Sequence, residues 1–364
     1  MTADLFLSPK ISAEIDKGSF TASAPSNIAL VKYWGKKAGA EDQIPANPSI
    51  SFTLKNCKTI TKLDFERKPI DGILSFDLLF EGEPKPDFKP KIEQFLNRIK
   101  KYCPYLLQYH FLIDTKNTFP HSSGIASSAS GMAALSVAIM QLEKALCPGI
   151  DDDYCYKKAS FLARLGSGSA CRSIKGEIVA WGKSKSIEGS SDLFGVDFAD
   201  SIHENFKHYQ DTILLVDKGE KTVSSTLGHN LMHNHPFAER RFEQAHENLA
   251  KLKDVLQNGD LQQFMAIVES EALTLNAMMM TSMPYFILIK PNTLEIINKI
   301  WSFRAATKTP VCFTLDAGAN VHILYAIVEK EKVLQFIKDE LVGYCQNGHY
   351  ICDEIGKGSE ILIQ

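Results

Sequence analysis

The chain has 364 residues, 45% of them hydrophobic, and a formal net charge of −3. That length can bury a large core and suits two domains or one large bilobed one. The mild acidic excess, with charge well mixed along the chain, argues against a nucleic-acid or membrane-surface partner, because either usually demands a basic excess.

Asp4, Lys10, Glu14 and Asp16 interrupt the apolar residues of the N-terminal stretch, and no apolar run approaches a membrane span. Short β-rich runs follow at 28–33, 49–54, 60–65 and 73–80, with Asp71-Gly72 reading as a hairpin turn between the last two. The pattern then predicts a helix over 89–102, a strand over 109–114, and helices over 126–145 and 151–165. The polar stretch 183–192 reads as a surface loop and the boundary between lobes 1–190 and 191–364. Beyond it lie a strand at 212–216, a helix with Phe242, Ala245, Leu249 and Leu252 on one face, and a long helix at 259–281. Pro291, Asn292 and Glu295 predict a further helix with Asn292 as its cap and Glu295 closing a capping box. Strands at 311–315 and 321–326 flank Asp316-Ala317-Gly318, and a helix carrying Val333, Ile337 and Leu341 comes after. Mixed order without regular βαβ alternation points to an α+β fold. Eight scattered cysteines with no C-x-x-C pair suggest reduced, mostly buried thiols in a cytoplasmic protein.

The segment 120–131, Pro-His-Ser-Ser-Gly-Ile-Ala-Ser-Ser-Ala-Ser-Gly, runs into a helical pattern of Met132, Leu135, Ile139 and Leu142. A Gly/Ser loop at a helix N-terminus offers free N–H groups and the positive end of the macrodipole to an anion such as a phosphate. In 24–37, Lys32 stands in an apolar strand, where an ammonium is either an edge-strand gatekeeper or a buried charge that is costly without an anionic partner; by position alone Lys36 and Lys37 read as solvated. In 163–173, Ser167 and Ser169 alternate with glycines, which reads as a flexible linker or as an anion pocket at a helix start, where Arg172 adds a planar fork suited to a carboxylate. Asp316 ends an apolar strand before Ala317-Gly318, and it serves either as a turn former or as a base or metal ligand. His229, His233 and His235 have zinc-like spacing but no completing cysteine or acid, so a solvated helix start is expected.

The loop 120–131 resembles the phosphate loop P-x-x-x-G-[LI]-x-S-S-A of the GHMP kinase superfamily. N-I-A-x-x-K-Y-W-G-K at 27–36, G-S-G-S-A-C-R-S at 166–173 and F-T-L-D-A-G-x-N at 313–320 make the chain resemble the mevalonate diphosphate decarboxylases within it. Asn47-Pro48-Ser49-Ile50-Ser51, Val223-Ser224-Ser225-Thr226 and Met283-Pro284 support the match, which runs in order from about 20 to 330. The resemblance implies a GHMP-kinase-like, two-lobed α+β fold around a deep cleft, a homodimer, and an ATP- and Mg²⁺-dependent decarboxylation of 5-diphosphomevalonate. It implies Asp316 as the acid at the C3 hydroxyl, Arg172 on the C1 carboxylate, and Lys32 near the reacting centre. Asn27, Ser167 and Ser169 would contact substrate, and Tyr33, Lys36 and Ser225 its diphosphate. Gly124, Ala126, Ser127 and Ser128 would hold the ATP phosphates, with Ser128 also on the metal. Two departures stand out: Pro-His-Ser-Ser-Gly where many members have Pro-Thr-Ala-Ala-Gly, and Pro48 where Ser or Asn is common. Rival readings are a relative acting on mevalonate or its 5-phosphate, and a catalytically silent GHMP-fold sensor.

Overall fold

Two antiparallel-rich sheets divide the strands between them, and the computed structural model describes residues 2–37, 43–120, 125–198, 202–217 and 225–362. The strands are β1 (Lys17–Val31), β2 (Ser49–Arg67), β3 (Ser75–Phe80), β4 (Glu83–Pro84), β5 (Tyr109–Asn117), β6 (Ile178–Trp181), β7 (Val196–Asp197), β8 (Gln210–Leu214), β9 (Val311–Leu315), β10 (Val321–Tyr325), β11 (Tyr350–Glu354) and β12 (Glu360–Leu362). The helices are α1 (Lys89–Ile99), α2 (Ser127–Leu146), α3 (Asp152–Gly166), α4 (Ser225–Asn230), α5 (Ala238–Asn258), α6 (Leu261–Met280), α7 (Pro291–Thr307) and α8 (Lys330–Phe336).

The larger sheet runs β12-β1-β2-β5-β3-β4, with β6 on β2 and β7 on β6; the smaller runs β11-β8-β10-β9. Helices α1 to α3 cover the large sheet through a core that includes Phe65, Phe111, Leu135 and Phe161. A second core, with Ile28, Phe52, Leu249, Phe264 and Cys312, lies between the sheets and joins α5 and α6 to both. Burial of such aliphatic and aromatic side chains, at roughly 1.5–3 kcal/mol each, is what holds the sheets in register.

Three expectations change. The runs at 49–54 and 60–65 are one strand, β2, which passes from partner β6 to partner β5. At the handover Asp353 accepts the N–H groups of Lys55, Asn56 and Cys57 at 3.1, 2.9 and 2.7 Å, so a carboxylate replaces the missing ladder bonds. Asp71-Gly72 is no hairpin turn: β3 lies beyond β5 and pairs with it in parallel, so 68–74 is a crossing connection. Helix α7 begins two residues earlier than expected, with Lys290 as N-cap and Pro291 at N1, where a missing N–H costs nothing. Thr293 Oγ1 rather than Glu295 accepts the N-cap N–H, from Lys290 at 3.2 Å, and Asn292 instead donates to the Tyr344 carbonyl. Among the described residues no helix is long and apolar enough to cross a membrane.

Candidate active site

β1 stops at Val31, so Lys32 lies just past the strand rather than within it. It is almost wholly buried, and its Nζ reaches Asp316 Oδ1 at 3.0 Å, at the end of β9 in the other sheet. One ion pair therefore bridges the two sheets. Burial lowers the Lys32 pKa below its ordinary value, while the carboxylates of Asp316 and then Glu271 oppose that shift. The Asp316 side chain keeps 30% exposure, so one face of the pair opens to a ligand.

Arg172 sits on a 3-10 turn, Gly168–Ser173, that follows α3. Its Nε donates to Ser51 Oγ at 2.5 Å, Nη1 to Ser49 Oγ at 2.6 Å and Nη2 to Asn27 Oδ1 at 3.3 Å. Asn27 is itself fixed by donating to Ser173 Oγ and the Ser169 carbonyl. Among the described residues the hydrogen-bond partners of Arg172 are all neutral, and each terminal nitrogen keeps a second N–H. A buried guanidinium hydrogen-bonded only to neutral groups suits an anionic ligand; burial pulls its pKa down while Cys171, Asp316 and Tyr33 oppose that through space, with no acid bonded among the described residues.

Tyr33 packs edge-on against Trp181, with ring centroids 4.6 Å apart, and its hydroxyl is buried without a hydrogen-bond partner among the described residues. A Cβ on Gly168 would sit 2.8 Å from that hydroxyl, which explains the glycine between Ser167 and Ser169. Lys36 is buried rather than solvated, a correction to its expected exposure, and burial followed by the charge of Arg98 lowers its pKa. His229 and His235 are likewise buried, not a solvated helix start. The reason is packing: His229 lies against Tyr33 and Trp34, and its Nδ1 accepts the Gly35 N–H at 3.0 Å. Among the described residues no group of three or more His, Cys, Asp or Glu could hold a metal.

Helix α2 opens on Ala126 in the left-handed region (φ 45°) with no side-chain cap. Its first N–H groups are thus available, and the exposed Ser128 Oγ lies 3.2 Å from Ser167 Oγ. That contact joins the phosphate-type loop to the Arg172 turn. An uncapped helix start fringed with hydroxyls fits a nucleotide phosphate. Gly124 lies outside the described residues, as does the side chain of Ser225. Sequence reasoning missed Glu271 and Arg241, which bond the Lys32 main chain, Asn248, which bonds Glu271, and the parts played by Ser49, Ser51 and Asn47. One signal existed: Glu271 recurs at helical spacing with Phe264, Val268 and Leu275, on the buried face of α6.

A lysine–aspartate pair joining the two sheets, with an uncapped helix start that reaches the Arg172 turn through Ser128 and Ser167, fits a GHMP-kinase-fold enzyme. Residues 24–193 match the diphosphomevalonate decarboxylase-like N-terminal domain, and 212–357 match the mevalonate 5-diphosphate decarboxylase C-terminal domain. The diphosphomevalonate decarboxylase of Saccharomyces cerevisiae is 30% identical over 339 residues, 87% of this chain and 81% of its own. That of Aspergillus fumigatus is 30% identical over 332 residues, 87% of this chain and 79% of its own. The crystal structure of mevalonate diphosphate decarboxylase from Staphylococcus aureus superposes with a TM-score of 0.81 at 30% identity, covering 95% of this chain and 98% of that one. A complex of MDDEF with MVAPP, AMPPCP and magnesium gives 0.80 at 28% identity, covering 95% and 99%. The chain belongs to the diphosphomevalonate decarboxylase family.

Proposed function

We propose that the chain converts (R)-5-diphosphomevalonate and ATP to isopentenyl diphosphate, ADP, phosphate and CO₂. The observation that carries this reading is Arg172, a buried guanidinium whose hydrogen-bond partners among the described residues are all neutral, set in the same site as the Lys32–Asp316 pair. A plain kinase has no need of a carboxylate clamp, whereas a decarboxylase must orient one.

Bound ATP with Mg²⁺ supplies the phosphoryl group, and the N–H groups of Ser127 and Ser128 with the Ser128 hydroxyl would hold the phosphates and metal. Asp316 orients the C3 hydroxyl and takes its proton, which offsets the weak nucleophilicity of a tertiary alcohol. Lys32 keeps that carboxylate in place and lies beside the charge that shifts as the bond forms. Once the C3 oxygen carries phosphate it becomes a leaving group. As its C–O bond breaks, the C1–C2 electrons become the new C=C bond and C1 departs as CO₂. Arg172 holds the carboxylate in line for that loss, and Asn27, Ser167 and Ser169 line the adjoining wall. Tyr33 and Lys36, with Ser225, would bind the diphosphate; the orphaned Tyr33 hydroxyl and buried Lys36 ammonium support this.

Lobes 1–190 and 191–364, a homodimer and a cytoplasmic setting belong to the same reading. The break between the two family matches supports the first. The exposed Met283, Tyr285 and Ile287 supply an apolar surface for a second copy. The free thiols, seven buried and Cys352 exposed, support a reducing compartment. Substrate labelled at C1 tests the reaction: label should leave as CO₂ in step with ADP, and ADP without labelled CO₂ would leave only a kinase.

A further inference from the structure

Lys32 lies beyond the end of β1, so the sheet ladder cannot satisfy its main-chain groups. Side chains do so instead, Glu271 and Arg241 from the other half of the chain and Asn47 from the same half. Glu271 of α6, fully buried, accepts the Lys32 N–H on Oε2 at 2.9 Å. Arg241 of α5 donates Nη2 to the Lys32 carbonyl at 3.2 Å, and Asn47 donates Nδ2 to the same oxygen at 2.9 Å. Arg241 also forks onto Glu271, with Nη1 to Oε1 at 3.0 Å and Nη2 to Oε2 at 2.5 Å, and Asn248 donates to Oε1 at 2.6 Å. The Glu271 carboxylate thus accepts from a main chain, a guanidinium and an amide, all buried.

A buried ion pair is a poor stabiliser, because desolvation consumes most of the Coulomb gain, and apolar residues of the same volume often do as well. What this pair adds is position. We propose that Glu271 and Arg241 are positioning residues that clamp the Lys32 main chain so that its ammonium meets Asp316. The inference rests on the reading that Lys32 and Asp316 flank the reacting centre. It adds a specific coupling: helices α5 and α6 of the second half set the aim of a lysine carried by the first.

The clamp also has an electrostatic sign. The charged groups facing Lys32 are Asp316 after β9, Glu271 on α6, Arg172 on the 168–173 turn and Asp211 on β8, with Arg241 of α5 at its carbonyl. The Glu271 charge favours the ammonium. Removing it makes Lys32 lose its proton at lower pH; removing Arg241 unmasks Glu271 and does the reverse.

The test compares Glu271→Gln, Arg241→Gln, the double variant and Lys32→Met in full-length protein, by kcat, KM for ATP and the alkaline limb of kcat against pH. In the single variants kcat should fall about 10- to 100-fold, as for a reacting group displaced by a fraction of an ångström, with KM for ATP unchanged. The alkaline limb should move down in Glu271→Gln and up in Arg241→Gln. Both variants break the same ion pair, so a merely structural role moves the limbs the same way or not at all, and that result overturns the proposal. Should Glu271→Gln fail to fold, the double variant leaves no lone buried charge; wild-type kcat there overturns the proposal, and a reduced kcat with intact KM supports it. An active Lys32→Met would instead overturn the reading of the site itself.

Discussion

Lys32 and Asp316 are 284 positions apart in the chain and 3.0 Å apart in space, one at the end of a strand in each sheet. The pair is therefore a contact between the two sheets, and its geometry depends on the core between them. Asp316→Asn should cut kcat by about 10²–10⁴-fold, the usual worth of a general base, while ATP and substrate dissociation constants move only a few-fold. Calorimetric titration beside steady-state rates checks this. A variant keeping more than about a tenth of wild-type kcat contradicts the role.

Arg172→Lys keeps the charge and loses the fork that Ser49, Ser51 and Asn27 hold in place. Loss of one well-made charged hydrogen bond corresponds to about 1.5–3 kcal/mol, or roughly one to two powers of ten in kcat/KM. An analogue lacking the C1 carboxylate should bind wild type and variant alike. Equal penalties for both ligands would move Arg172 off the carboxylate.

Tyr33→Phe removes a buried hydroxyl that has no hydrogen-bond partner among the described residues. Thermal stability should stay level or rise slightly, since an unsatisfied polar group is lost. Affinity for the diphosphate substrate should drop by roughly one to two powers of ten, the worth of a hydrogen bond to a charged group. Unchanged affinity would mean the hydroxyl faces no phosphate.

Ser128→Ala, at the exposed start of α2, should weaken ATP and Mg²⁺ use and spare substrate affinity. Separate titrations decide: weaker substrate binding with intact nucleotide binding would exchange the two pockets.

His229 gives a pH signature. Burial, then the charges of Lys36 and Arg172, push its pKa down to about 3. The unfolded chain takes up this proton near pH 6.5, its ordinary value, and the folded chain does not until about 3. The stabilising contribution is full above 6.5 and is lost as pH falls through that window, with a slope of up to about 1.4 kcal/mol per pH unit. His229→Met should lose stability less steeply between pH 6.5 and 4 in urea titrations. Identical slopes would show that His229 is protonated in the folded state.

Much of the site was legible because its chemistry is written in short runs. Lys32 in an apolar run, Arg172 after alternating glycines and serines, and Asp316 before Ala-Gly each carry an ordinary local reading beside the functional one, and the Lys32–Asp316 contact is what joins two of them. The fold was legible wherever an element is long and periodic, as in α2 and α3. What escaped depends on distant partners. The continuity of β2 needs Asp353, almost 300 residues away, to bridge its change of neighbour. The parallel pairing of β3 with β5 leaves no mark on Asp71-Gly72, which makes a local turn either way: Gly72 has φ +75° and the Asp71 carboxylate accepts the Ile73 N–H. The clamp of Glu271 and Arg241 on Lys32 joins residues more than 200 positions apart through main-chain atoms that every residue possesses.

The most direct test offers purified enzyme, ATP and Mg²⁺ with mevalonate, its 5-phosphate and its 5-diphosphate in parallel, measuring ADP and CO₂ together. The account predicts equal amounts of ADP and CO₂ with the 5-diphosphate and neither above background with the other two. ADP release without CO₂, or turnover of mevalonate or the monophosphate at a comparable rate, would contradict it.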